Sequence, residues 1–163
     1  MPVKQALKSR ALDDLDRQIL NILQDDGRVS LTNISKKVLI SIDSVNNRIQ
    51  DMQRKGIFSF GIYVEPDRIG YPLIAEVKVK LQNISVGEKA KFIGYLKAFP
   101  QVIELFSILG DFDLTCVMIA KDTREMESLA TQIRQKHAHI IADWVSVLVL
   151  ENHKFESYDM QHL

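Results

Sequence analysis

Between Ser41 and Arg54 the chain carries side chains whose types and spacing suit the reading of base edges. Asn46, Asn47 and Gln50 bring amides, which donate and accept together, as the exposed edge of adenine in a major groove requires. Arg48 and Arg54 can pair with guanine or phosphate, and Asp43 can accept from a cytosine amine. At about 100° per residue, Asp43, Asn47, Gln50 and Arg54 share the helix face opposite Val45, Ile49 and Met52, with Ser44, Asn46 and Asp51 flanking it. With Ser41 at the helix start, the candidate DNA-contact set is Ser41, Asp43, Ser44, Asn46, Asn47, Arg48, Gln50 and Arg54. Aspartates on or near this face oppose phosphate, and amides with arginines also occur on ordinary solvated helices. Residue types alone leave both readings open.

Chemistry elsewhere is sparse. The segment Leu109-Gly110-Asp111-Phe112-Asp113 could hold a ligand ammonium on its carboxylates while backbone N–H groups hold a carboxylate. Gly and Asp also suit a plain hairpin turn for backbone reasons, and by residue type the turn is favoured. His137 and His139 lack a convincing third metal ligand, so a cation near a helix C-terminus is the simpler reading. Cys116 stands in an apolar run with no activating positive group, which marks a buried, unreactive thiol. No Ser/His/Asp order, phosphate-cradling Gly-rich loop or zinc pattern is present, so neither catalysis nor a cofactor is expected.

The elements that must position the amide face are three helices. The first starts near Asp13 or Asp14, buries Leu12, Leu15, Ile19, Ile22 and Leu23, and ends at Asp25-Asp26-Gly27, with Gly27 suited to a left-handed cap. The second is capped by Ser30 and buries Ile34 and Val38. The third is capped by Ser41, buries Val45, Ile49 and Met52, and closes at Lys55-Gly56. Two short helices joined by a tight turn and braced by a third make a helix-turn-helix. Ile57–Val64 is apolar and β-branched and predicts a strand. Beyond it come a one-sided strand over 73–81, a helix over 86–98, strands over 102–109 and 114–120, a helix over 123–136 and a strand over 144–150. The order β-α-β-β-α-β is ferredoxin-like. The fold class expected is therefore α+β: a winged-helix-like N-terminal helix-turn-helix and a C-terminal ferredoxin-like βαββαβ domain. The expected boundaries are 1–60, a connection at 61–73, the second domain at 74–152, and a loose tail at 153–163.

The last strand, Trp144–Leu150, is apolar on both faces, so a lone copy would expose one of them. That predicts a homodimer packed sheet to sheet, with two recognition helices on DNA half-sites about one turn, or a multiple, apart. Formal charge balances at zero, but residues 1–56 hold ten basic against seven acidic residues, a mildly basic front on a mildly acidic back. Lys4, Lys8 and Arg10 make either a solvated terminus or an arm along phosphates. No stretch reaches the roughly 18 apolar residues of a membrane span, and the first residues lack a signal peptide's apolar core. A cytoplasmic protein without a membrane partner is expected.

These motifs together resemble the Lrp/AsnC (feast/famine) transcription regulators over about residues 12–152. The matching landmarks are Leu15-Asp16-Arg17-Gln18-Ile19-Leu20, Leu23-Gln24-Asp25-Asp26-Gly27-Arg28 and Val45-Asn46-Asn47-Arg48-Ile49. Gly56-Ile57 then leads to Pro66 and Ile69-Gly70, and Gly110-Asp111-Phe112-Asp113 is similar to the family's acidic loop. The resemblance implies double-stranded DNA as partner and dimers that assemble into tetramers or octamers. It also implies a small effector, often an amino acid, at a cleft near Leu109–Asp113. Two departures stand out: Leu39-Ile40 replaces the frequent glycine of the interhelical turn, and the reading helix is poor in arginine. An architectural DNA-coating protein is the alternative. Sirohaem decarboxylases share the domain plan, but their hairpin carries histidine, arginine and tyrosine where this chain has Gly-Asp-Phe-Asp-Leu.

Overall fold

The computed structural model describes residues 12–163, so the basic segment with Lys4, Lys8 and Arg10 lies outside the described residues. The chain divides into two units: one takes in residues up to Ile62 together with Lys154–Leu163, and the other is Tyr63–His153.

The first unit is built on α1 (Asp14–Asp25), α2 (Leu31–Val38) and α3 (Ile42–Arg54). Asp13 caps α1 in a reciprocal box with Asp16, and Ser30 and Ser41 cap α2 and α3. Each cap occupies an N–H that the helix leaves without a partner. Helices of this length are marginal alone. They are held by a shared core in which Ile19, Ile34 and Val45 are fully buried, with Leu20, Leu23, Val38, Ile49 and Met52 around them. Each such side chain contributes about 1.5–3 kcal/mol. The α2–α3 turn closes through the Ser35 hydroxyl, which donates to the Ile40 carbonyl at 2.5 Å.

Several expectations for this unit change. Gly27 does not take a left-handed cap: α1 ends in an extended Asp26, whose side chain accepts from the Arg28 N–H at 2.8 Å. The left-handed positions fall instead at Leu39 (φ 58°) and Gly56 (φ 68°). Ile57–Val64 forms no strand. Its β-branched and aromatic pattern favours a pleat, but a strand exists only with a neighbour to share its hydrogen bonds. The tail is not loose, either. Met160 packs against the helical core, and the backbone of residues 158–163 is gripped by side chains of α1.

The second unit opens with a 3-10 turn at Pro66–Ile69. It comprises β1 (Leu73–Leu81), α4 (Val86–Lys97), β2 (Val102–Ser107), β3 (Leu114–Ala120), α5 (Thr123–Lys136) and β4 (Ile141–Leu148). The sheet order is β2-β3-β1-β4, antiparallel throughout, with Val77 opposite Cys116 on one side and Ser146 on the other. This is the expected β-α-β-β-α-β plan. Both helices cover one face, where Ala75, Val77, Val79, Leu114, Cys116 and Met118 meet Phe92, Leu96, Leu129 and Ile133. β4 begins earlier than its apolar run suggests because Leu81 pairs with Ile141. On the uncovered face, Phe106 is 46% exposed, Val145 38% and Val147 54%. Glu76 and Lys78 sit among them, their charges 3.6 Å apart. Among the described residues no helix is long and apolar enough to cross a membrane.

Candidate nucleic-acid interface

The amide face of α3 stands as the helical spacing implies. Val45 is fully buried, Ile49 and Met52 nearly so, and Asp43, Asn47, Gln50 and Arg54 are exposed. The Asn46 side-chain oxygen accepts from the Gln50 amide at 3.4 Å, one turn on, which leaves the other Gln50 amide proton and both Asn47 groups outward. Ser41 is occupied as the cap, its hydroxyl oxygen accepting from the Ser44 N–H at 3.2 Å. Ile42, passed over in the sequence because it is apolar, is 44% exposed at the first position of α3. The N-terminal turn of a recognition helix is the part that meets base edges, and an aliphatic side chain there can lie against a thymine methyl.

The cations of α3 are less free than their number suggests. Arg48 turns inward to α1: its Nη1 lies 2.9 and 2.7 Å from the two Asp13 oxygens and 2.7 Å from Asp16 Oδ1. The guanidinium pKa is raised, first by these hydrogen bonds and then by the two negative charges. The side chains are 26% (Arg48), 39% (Asp13) and 14% (Asp16) exposed, so water screens this cluster only in part. Arg48 therefore reaches base edges or phosphate only by leaving two carboxylates. In this structure it fixes α3 to the start of α1, which changes the role expected of it. The signal was present in the sequence as Asp13-x-x-Asp16, but a capping box explains those aspartates equally well until α3 is seen to pack there. Arg54 donates to Asp51 at 2.5 Å and Lys55 also bonds Asp51. Those contacts lower the Asp51 pKa, Lys55 being the larger cause. The pairs are exposed, and exposed pairs exchange readily for a phosphate. Beside α3 runs an open groove of about 480 Å³ lined by Asp16, Ser44, Asn47, Arg48, Asp51 and Lys55.

The acidic loop of the second unit is partly committed to the fold. Gly110 has φ +150°, a conformation that favours glycine. Asp113 Oδ2 accepts from the Leu81 N–H at 2.8 Å and Oδ1 lies 3.8 Å from Lys89 Nζ, so this carboxylate braces β3 against the end of β1. Leu109 is fully exposed, Asp111 exposed and Phe112 half-buried. Of the two carboxylates proposed to hold an ammonium, Asp111 is the one directed to solvent without a structural bond in the loop.

His137 caps the end of α5 between two rings, 4.8 Å from Phe92 and 4.6 Å from Tyr95. Its pKa is lowered, mainly by burial and then by Lys136 and His139. The expectation of a favourable cation at that helix end is thus corrected for His137, whose burial between the rings disfavours the charged form. Cys116 is buried, and burial pushes its thiol up to about 12.

Residues 12–58 match the winged helix-turn-helix DNA-binding family, and residues 74–158 match the Lrp/AsnC ligand binding domain. The HTH-type transcriptional regulator FL11 of Pyrococcus furiosus is 28% identical over 123 residues, covering 75% of this chain and 80% of that protein. Ptr1 of Methanocaldococcus jannaschii, also an HTH-type transcriptional regulator, is 30% identical over 126 residues, 77% and 81% of the two chains. Among solved structures, an AsnC family regulator from Agrobacterium tumefaciens superposes with TM-score 0.79 at 26% identity over 88% of this chain and 94% of that one. The regulator NMB0573 of Neisseria meningitidis, solved with L-Met, has the same fold, with TM-score 0.83 at 23% identity over 93% and 98%. The matched families and named relatives are regulators, not enzymes. With a DNA-binding winged helix-turn-helix followed by this ligand-binding domain, the chain belongs to the Lrp/AsnC family of transcription regulators.

Proposed function

We propose that this regulator binds defined double-stranded sites in the cytoplasm as a homodimer, and that an amino acid or similar small molecule at the second unit adjusts its affinity or assembly. The observation that carries the reading is the exposed amide face of α3, Asn47 and Gln50 with Ile42, set on a helix whose other face is buried. Asp43, Ser44, Asn46 and Arg54 border that face. Arg48 acts one step behind it, as the clamp to α1.

Pairing is supported by the open sheet face, where Phe106, Val145 and Val147 are exposed together. Apolar side chains left exposed on an uncovered sheet face, here interspersed with the Glu76–Lys78 pair, usually mark an interface. Two readers on one dimer add affinity beyond either alone, which suits a helix with few free cations. An effector is supported by the ligand-binding family match and by the L-Met held in the Neisseria relative. In this chain Asp111 is the carboxylate of the Gly110–Asp113 loop placed to meet an ammonium. Assembly beyond the dimer, to tetramers or octamers, follows the family.

The test is the double variant Asn47→Ala with Arg54→Ala, assayed for binding to a fragment that the wild-type chain retains. The reading predicts at least a tenfold loss, since one good bidentate base contact is worth about 1–3 kcal/mol of discrimination. Unchanged binding by the double variant means that α3 is not the reader.

A further inference from the structure

We propose that the tail, residues 154–163, is a latch that holds α1 where it can keep α3 aligned for DNA, with Arg17, Asn21 and Gln24 as the positioning residues that hold it. This rests on DNA recognition by α3. The three side chains are spaced i, i+4 and i+7, so they line one face of α1. Each grips backbone. Arg17 Nη1 donates to the backbone oxygens of Met160 at 2.6 Å and Leu163 at 2.7 Å. Asn21 Oδ1 accepts from the Met160 N–H at 3.0 Å. Gln24 bonds Tyr158 both ways, accepting from its N–H and donating to its carbonyl, each at 3.0 Å. A carboxamide engaged in both directions with the backbone of one residue fixes the register of the tail on the helix. Met160 adds an apolar plug against the helical core.

Two features make this a latch and not simply a packed end. First, α1 is also the helix whose Asp13 and Asp16 hold Arg48 of α3, and Arg17 directly follows Asp16. The tail seat and the α3 clamp therefore share one rigid element. Second, only residues 149–153 separate the end of β4 from the tail. A displacement of that strand, whether from partner binding at the sheet face or from ligand, is passed along five residues to the seat on α1. The chain enters the ligand-binding unit through the segment after α3 and leaves it into the tail, which α1 holds by hydrogen bonds.

The test compares the full chain, a chain ending at His153 and the full-length double variant Asn21→Ala with Gln24→Ala. Readouts are affinity for a fragment bound by the full chain, amide hydrogen exchange on α3, and the effect of an added peptide of residues 150–163. If release leaves about a tenth of the molecules with α3 aligned, the truncated chain binds about tenfold more weakly. Exchange on α3 then accelerates, and saturating peptide reverses both changes. The double variant weakens in the same direction and is not rescued by peptide, because its seat is damaged. It also keeps the proposal testable should the truncated chain not fold. Wild-type affinity and wild-type exchange in both altered chains overturn the latch. A full chain that binds no DNA overturns the regulator reading instead, and the exchange comparison then still decides the latch.

Discussion

Arg48→Ala removes the contact that ties the reading helix to α1. Its guanidinium touches three carboxylate oxygens at 2.7–2.9 Å. A charge-assisted hydrogen bond contributes about 1.5–3 kcal/mol when buried, and an exposed ion pair about 0–1 kcal/mol. Asp16 is the more buried partner and belongs near the lower end of the first range. Asp13 is over a third exposed and belongs in the second. Together they set the loss at about 2 kcal/mol, which lowers the melting temperature of a unit this size by about 8–16 °C. Urea unfolding followed by circular dichroism measures the loss, and a double-mutant cycle with Asp16→Asn measures the coupling, expected at about 1–1.5 kcal/mol. DNA binding supplies a separate check below the transition. A residue on phosphate contributes about one to the slope of log affinity against log salt, and a clamp contributes none. The slope is therefore expected to stay at the wild-type value. A stability change under 0.5 kcal/mol, or a slope reduced by one, refutes the clamp.

Leu39 occupies a left-handed conformation at φ 58° while 88% exposed, so Leu39→Gly relieves backbone strain and loses little packing. After the chain-entropy penalty of glycine, the variant is expected to gain about 0.5–1 kcal/mol, read as a higher urea midpoint. His137 has a folded-state pKa below its unfolded value, so the unfolded chain binds the proton more readily. The stability it contributes is present above about pH 6.5 and is lost as pH falls below that value. Melts between pH 7.5 and 5 are expected to show the decline, and His137→Phe to flatten it. Val147→Glu puts a charge on the open sheet face and is expected to shift the protein from dimer to monomer in sedimentation, with unchanged circular dichroism.

The helices and strands were legible because burial leaves a period in the sequence, near 3.6 for Val45, Ile49 and Met52 and near 2 for Ala75, Val77 and Val79. The amide face was legible for the same reason, as the complement of a buried stripe. Four features were not. The tail is held through its backbone, so its residues show no apolar pattern. Arg48 looks like a DNA contact by type, and only tertiary packing brings Asp13 and Asp16 to it. Asp113 looks like a ligand carboxylate, but the N–H it satisfies belongs to Leu81, 32 positions away. Ile57–Val64 has the composition of a strand and, within one chain, no strand to join.

Under the proposed function, paired α3 helices read particular DNA sequences under the control of a small ligand. Selection of genomic fragments by the purified full-length protein, at stated salt and with or without a pool of amino acids, tests it most directly. A small set of enriched fragments sharing paired half-sites about one DNA turn, or a multiple, apart is expected, with enrichment that changes when the pool is added. Fragments recovered in proportion to their abundance contradict specific reading and favour an architectural DNA-coating protein. Enrichment that is unaltered by the pool contradicts amino-acid control.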